Sequence, residues 1–507
     1  MQTTASADQR EGEVEINSLL RSSIDARVEC GKSDEFWANI YKSLDKLIYD
    51  TPTTAQSLQE IRVYCIRLRN LVAQVPDNQT LAVTAMRFAS DIPPRSAVHY
   101  LTAVMQEKTI PLLTNASNSS VSTAVRKAAF DACRAAIQAI ANIAGGNNYG
   151  TNFIGLWTTP DSKFLPMLAK LPNVDGVFAH DLAIMMMNFC QASENSSHGT
   201  ATWPVVMDGD CKFLVATILE RCVASIEDVD DNLFNVVSSL LEHVLRGGAL
   251  RNLISQENMK KCAEYGIVED WMQYRAGVLK LTASILAEQT DSFNIGMETV
   301  DELIHGLEDD VKYTVEHVRP DLSSPATQSK PVILDLASTA DRLLIVAHTL
   351  EILAHVTGTE ATSPFVVPHS AQIESTLESM LKTLIGFLYF LDSIIPQISR
   401  LSDRNQSPSA TPSDTAATAS TTPESVQQMA RFKRDVVQII GNVSHRNKFV
   451  QDKIRELGGI PIVLKHCTID ELNPYIREYA VFAMHNILEN NVENQTLVES
   501  MKPVNNQ

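Results

Sequence analysis

Long apolar runs are missing from this 507-residue sequence. The nearest, LIGFLYFL at 384–391, is bounded by Lys382 and Asp392. It falls far short of the roughly 20 residues that cross a bilayer, so membrane insertion is not expected. Clustered basic residues are missing too: the net charge is −18 and the most basic run is RFKR, Arg431 to Arg434. Nucleic-acid backbones are held mainly by grouped Lys and Arg, so no nucleic-acid partner is expected. Cys-x-x-Cys spacing does not occur, and eight cysteines lie scattered at 30, 65, 133, 190, 211, 222, 262 and 467. That distribution fits reduced, buried thiols in a cytosolic protein. The opening residues, MQTTASADQREGEVEIN, have no basic stretch followed by an apolar one. No secretory signal is read there, and a cytoplasmic location is expected. The N-x-S/T matches, such as Asn78 to Thr80, then carry no glycosylation meaning.

Strand signals are scarce as well. Instead, apolar residues recur at three- and four-residue spacing in segment after segment. Examples are IRVYCIRLRNLVAQV (61–75), AVRKAAFDACRAAIQAIANIA (124–144), FNVVSSLLEHVLRG (234–247) and AGVLKLTASILAEQ (276–289). These predict amphipathic helices of the size used in packed helical arrays. Some of them share a signature: Asn70, Asn442 and Asn486 each stand nine residues before a Gln, namely Gln79, Gln451 and Gln495. Each Asn closes an apolar helix and is followed by an aliphatic residue. IQAIANIAGG (137–146) and AIMMMNFCQ (183–191) echo the helix end without the later Gln. Self-similarity of this kind predicts a helical repeat, with the Asn amide bonding backbone groups in the connection to the next unit. A buried amide left unpaired would cost about 1–3 kcal/mol. The expected fold class is all-α, an α-solenoid of armadillo-like helical repeats.

Polar breaks separate the helices. The strongest is LSDRNQSPSATPSDTAATASTTPESVQ (401–427), rich in Ser and Thr and poor in large apolar residues. It cannot bury a core. The expected organisation is therefore a helical-repeat region over 1–400, a disordered linker or loop-out over 401–427, and compact C-terminal repeats over 428–502. Of the two linker readings the loop-out is preferred, with LIGFLYFL supplying a helix that covers the first C-terminal repeat. Ser407, Thr411 and Thr422 each precede a Pro. They are candidate sites for a proline-directed kinase, though such pairs also arise from composition alone.

Several motifs suggest chemistry and are outweighed by plainer readings. ARVECGKS (26–33) fits a relaxed phosphate loop with Ala in place of the first Gly. A phosphate loop needs a strand before it and backbone N–H groups converging on the anion, whereas INSLLRSSI upstream looks helical. Lys32 and Ser33 then open a surface helix. In EDVDDN (227–232), Asp228, Asp230 and Asn232 alternate as in a calcium loop, but Leu233 and Ser239 stand where Gly and Glu are wanted. MMMNFC (185–190) offers soft sulfur ligands, yet consecutive helical positions diverge, and Met is also a common core filler. The 12 histidines form no H-E-x-x-H pattern or His/Cys tetrad. Catalytic residues, cofactors and metals are not expected. The rival reading is a cytosolic metal- or nucleotide-handling protein using 185–190 or 26–33.

The C-terminal residues parse closely. MARFKRDVVQIIGNVS and NKFVQDKIREL read as successive helices, and Gly458 and Gly459 follow as a bend. IPIVLKHC then opens on Pro461, and PYIREYAVFAMHNILEN (474–490) forms a long last helix whose Ile476, Ala480, Ala483 and Ile487 share a face. This order resembles an armadillo repeat. More specifically, R-E-L-G-G-I-P, N-P-Y-I-R-E, N-I-L-E-N-N and E-N-Q over 435–495 resemble the C-terminal domain of the ataxin-10 family. RLRNLVAQVPDNQ near the N-terminus is similar to an early repeat of that family. Family members favour Trp where Tyr479 stands and Arg where His485 stands, which puts any partner contact made there in doubt. The resemblance implies a cytoplasmic, non-enzymatic scaffold that binds other proteins, is linked to cytokinesis, cell division or cell survival, and self-associates. Asn442, Gly458, Gly459, Asn473, Arg477, Glu478 and Asn486 are the matching repeat-signature or partner-binding candidates. For Arg477 and Glu478, salt links within the repeat are preferred to a partner-binding pair.

Overall fold

In a computed structural model of the chain, the described residues are 16–84, 94–114, 121–145, 149–157, 164–194, 211–224, 231–264, 270–288, 295–318, 339–358, 370–395, 397 and 424–501. The fold is all-α with armadillo-like helical repeats, and no β-strand occurs among the described residues. The chain divides into two units, Met1–Tyr274 and Arg275–Gln507.

The first unit opens with α1 (residues 16–22), α2 (Ile24–Gly31), α3 (Asp34–Asp45), α4 (Ala55–Val72) and α5 (Pro76–Val83). Two longer helices follow, α6 (Thr123–Ala144) and α7 (Gly176–Glu194). Helix starts are set by side-chain caps: Ser33 Oγ accepts from Phe36 N, and Thr54 and Ser57 form a reciprocal capping box. The layer of the unit is α4 against α6 and α6 against α7. Small residues make that close packing possible, since Ala129, Ala132, Ala136 and Ala139 are all fully buried.

In the second unit, α8 (Met297–His317) packs on α9 (Ala340–Gly358) and α10 (Ala371–Ile394). The C-terminal helices are α11 (Glu424–Ser444), α12 (Lys448–Glu456), α13 (Gly459–Lys465), α14 (Ile476–Leu488) and α15 (Val492–Ser500). Here the layer runs α9, α11, α14, with α10 packed across α11, α12 and α13. Leu384, Leu388 and Leu391 of α10 are fully buried, and Phe387 faces Phe432 at 6.1 Å. Burying each such side chain contributes about 1.5–3 kcal/mol. The apolar run at 384–391 therefore covers the C-terminal repeats as a core helix.

Two local expectations are corrected. Helix α11 begins at Glu424, inside the stretch read as linker; ESVQQ carries good helix formers with a carboxylate at the start. Helix α14 begins at Ile476, after Pro474, because residues 473–475 form a turn whose Asn473 C=O accepts from Ile476 N at 3.1 Å. Ser407, Thr411 and Thr422 lie outside the described residues, as do Asp228 and Asp230.

Candidate functional site

The repeat-signature asparagines are brought together as ladders, one in each unit. In the first, Asn142 Nδ2 donates to Arg69 C=O at 3.0 Å, and Asn188 Nδ2 to Ala141 C=O at 2.8 Å. In the second, Asn442 Nδ2 donates to Ala354 C=O at 3.2 Å, and Asn486 Nδ2 to Gly441 C=O at 2.9 Å. Each amide thus reaches back into the preceding long helix, in three of the four cases to the residue just before that helix's own Asn. The connection to the next unit, expected to be its partner, is not what the Asn bonds. The forward bond belongs to the glutamine. Gln79 Nε2 donates to Asn142 C=O at 2.8 Å and Gly145 C=O at 3.1 Å. Gln451 Nε2 donates to Asn486 C=O at 2.9 Å and Glu489 C=O at 3.3 Å. These are carbonyls of a helix end, which lack intrahelical partners. Asn442 and Gln451, nine residues apart, therefore join three successive long helices, α9, α11 and α14. Asn142 and Asn188 belong to the two echoes without a later Gln, and the helix-end pattern alone was the signal for them.

The glycine pair divides two tasks. Gly458 has φ +71°, a left-handed value that closes α12 and opens α13. Its carbonyl accepts from Tyr389 Oη at 2.8 Å. At Gly459 a Cβ would come within 2.8 Å of Ile385 Cδ1 and 2.9 Å of Ile454 Cγ2, so this position lets α13 approach α10. Asn473 is buried and donates from Nδ2 to Ala430 C=O at 2.7 Å, tying the turn before α14 to α11. Arg477 and Glu478 are both exposed. Neither forms an ion pair among the described residues, so the preferred intra-repeat salt links are absent. Adjacent helical positions diverge by about 100°, and no opposite charge stands at the neighbouring turns.

The register that matches Asn442 with Asn486 also matches Val437 with Val481 and Gly441 with His485. Val437 is 0% exposed and Val481 is 51% exposed. A Cβ on Gly441 would sit 3.0 Å from Ala483 Cβ, so α11 and α14 cross there in close contact. His485, at the corresponding point of α14, is exposed. Phe482, Tyr475 and Val492 add large apolar surface on or beside α14, at 49%, 67% and 68% exposure. Gln495 repeats the position of Gln451 but is exposed and donates to Leu488 C=O of its own connection at 2.8 Å. The outward face of α14 thus carries an exposed apolar pair, Val481 and Phe482, bordered by Glu478 and by an imidazole at the point where a stacked helix would need a glycine.

A buried polar cluster fastens α10 to the C-terminal helices. Lys433, fully buried, bonds Ile395 C=O and lies 3.4 Å from Asp392. His466, also fully buried, has Nδ1 2.9 Å from Gln397 Nε2, which donates to it. Burial first, then the Lys433 charge, drops the His466 pKa to about 4 against the pull of Asp392. The ring is therefore neutral in the folded protein.

The motifs with chemical overtones resolve as structure. Residues 26–31 of the phosphate-loop match are helical, in α2, and Ser33 caps α3. Gly31 lies against Asn78, whose Oδ1 would be 1.8 Å from an added Cβ, and its carbonyl accepts from Trp37 Nε1 at 3.0 Å. Lys32 pairs with Glu29 at 2.7 Å on the surface. Met185 and Met186 are fully buried, near Phe189 in the core.

Residues 432–507 match the family model described as the spinocerebellar ataxia type 10 protein domain. Over 71 residues the chain is 56% identical to the ataxin-10 homolog of Dictyostelium discoideum, covering 14% of this chain and 12% of that protein. It is 44% identical to ataxin-10 of Xenopus tropicalis over 71 residues (14% of this chain, 15% of that protein). With ataxin-10 of Homo sapiens the identity is 39% over the same length and shares. The matched stretch thus spans only 12–15% of these relatives' length. The resemblance read from the C-terminal residues holds: this segment matches the ataxin-10 domain. Among solved structures, the SYS-1/POP-1 complex is similar at 10% identity and a TM-score of 0.33, over 94% of this chain and 77% of that one. A designed armadillo repeat protein is similar at 11% identity and a TM-score of 0.19, over 89% and 99%.

Proposed function

We propose that this chain, which carries an ataxin-10 domain, is a non-enzymatic, cytoplasmic protein-interaction scaffold acting in cell division or cell survival. Its partners are other proteins, a second copy of the chain among them; nucleic acid and membrane insertion have no part in the reading. The observation that carries it is the contrast between Val437, sealed by the helix stacked on α11, and Val481, half exposed in the same register of α14. Phe482 beside it leaves an apolar surface, of the kind that marks protein–protein contacts. His485 at the crossing point stands in the way of another repeat helix approaching as closely as α14 approaches α11. A partner therefore meets this face with a different geometry from the repeat stack.

A photo-crosslinking residue placed at Val481 tests the scaffold reading in living cells. Capture of discrete protein bands, lost when the crosslinker is moved to exposed Glu257 of the first unit, is the expected result. Equal, diffuse labelling from both positions would overturn it.

A further inference from the structure

The chain is strongly acidic, yet α1, α2 and α4 of its first unit carry several arginines that form no ion pair among the described residues. Arg21 on α1 and Arg62 on α4 are exposed. Arg69 stands two turns beyond Arg62, on the same face of α4. Burial, then the charges of Arg21 and Arg62, lower the Arg69 pKa, opposed by Asp181. Arg69 is itself held in place, its Nη1 donating to Gln138 Oε1 at 2.6 Å and its Nε to Asn70 Oδ1 at 3.2 Å. Arg67 adds a further cation: it is 6% exposed, its Nε donates to Asn17 Oδ1 at 3.4 Å, and its Nη2 has no partner. Among the described residues, none of these four forms an ion pair.

Arg27 joins this cluster to a cavity. Its Nε donates to Leu20 C=O at 2.6 Å, its Nη1 to Ala73 C=O at 2.9 Å and its Nη2 to Arg21 C=O at 2.9 Å. A guanidinium has five N–H donors, so two remain. The fork is pinned by backbone on three sides and lines an open cavity of 370 Å³. Gln74, Gln79, Asn142 and Asn188 also line it, with Ala73 and Gly145. One wall residue, Asn142, bonds the carbonyl of Arg69. The cavity is thus lined by one cation, four amides and no carboxylate, and Arg21, whose carbonyl Arg27 holds, stands next to it.

We propose that this surface, from exposed Arg21 and Arg62 to the Arg27 cavity, binds an Asp/Glu-rich peptide segment of a partner protein. Carboxylates spaced along an extended chain match separated guanidinium groups, and arginine's planar fork takes a carboxylate through two N–H bonds. The two remaining N–H groups of Arg27 can take a carboxylate or a backbone carbonyl of that peptide. This surface lies in the other unit from the α14 face and goes beyond the scaffold reading, which stands or falls separately.

Fluorescence anisotropy with the full-length chain and a labelled Glu/Ser peptide tests the assignment. Its companions are a Lys/Ser peptide, a phosphoserine/Gly peptide and a single-stranded RNA. The Glu/Ser peptide should bind saturably and weaken with added salt. Arg21→Glu with Arg62→Glu should weaken it about tenfold or more through lost charge complementarity. The milder Arg21→Gln/Arg62→Gln pair should give a smaller loss in the same direction, and Lys448→Gln in the other unit none. Both arginines are exposed, so the fold is retained and circular dichroism verifies it. Absence of saturable Glu/Ser binding, indifference to both arginine pairs, or binding confined to the RNA or the phosphoserine peptide would overturn the proposal.

Discussion

Gln451 donates from Nε2 to the backbone carbonyl of Asn486 at 2.9 Å, and Gln79 makes the same bond to Asn142 at 2.8 Å. Two units with little sequence in common thus use one device: an amide from a short helix holds the end of the next long helix. Replacing Gln451 with Ala strands those buried carbonyls, and the expected loss is about 1–3 kcal/mol. Gln495→Ala, at an exposed copy of the position, should change stability by less than about 0.5 kcal/mol. Urea unfolding of the two variants beside the wild type measures the difference.

The glycine pair should respond in a definite order. Gly458→Ala forces an L-residue into the left-handed region at a cost of about 1–2 kcal/mol. Gly459→Ala drives a methyl group into Ile385 and Ile454, an overpacking cost of about 1–3 kcal/mol. A second substitution, Ile385→Val, should recover part of the Gly459→Ala loss, because it removes the nearest carbon, and none of the Gly458→Ala loss. Thermal melts of the single and double variants separate clash from backbone strain.

His466 makes the protein acid-sensitive. Its pKa falls from an unfolded value of 6.5 to about 4 in the folded state, so the folded protein binds the proton less well. This contribution is fully present above pH 6.5 and is lost as pH falls toward 4, where the unfolded chain takes the proton first. The full shift corresponds to roughly 3 kcal/mol by linkage. Unfolding free energies at pH 7 and pH 5 should differ more for the wild type than for His466→Asn, which has no charge to gain.

How much of this was legible beforehand depends on the reach of each feature along the chain. The helices and the ladder positions Asn442 and Asn486 were visible because periodicity and a nine-residue spacing are local. The bend at Gly458 was visible because Gly-Gly before Ile-Pro leaves few alternatives. The direction of the asparagine bond was not, since a carbonyl one helix back leaves no mark on spacing. For Arg477 and Glu478, sequence spacing does not reveal whether an opposite charge of the repeat lies within reach, and among the described residues neither forms an ion pair. The arginine surface escaped entirely: Arg21 and Arg27 are isolated in an acidic sequence, and the Arg27 guanidinium reaches the Arg21 carbonyl only because α2 turns back on α1.

The outward face of α14 carries the central claim, and sedimentation velocity over a concentration series tests it most directly. Val481→Glu with Phe482→Glu alters exposed positions, so folding stability should move by no more than about 0.5 kcal/mol per site. The wild-type chain should form a larger species as concentration rises, and the double variant should remain a monomer throughout. A wild type that stays monomeric at every concentration, or a double variant that associates as strongly as the wild type, would contradict it.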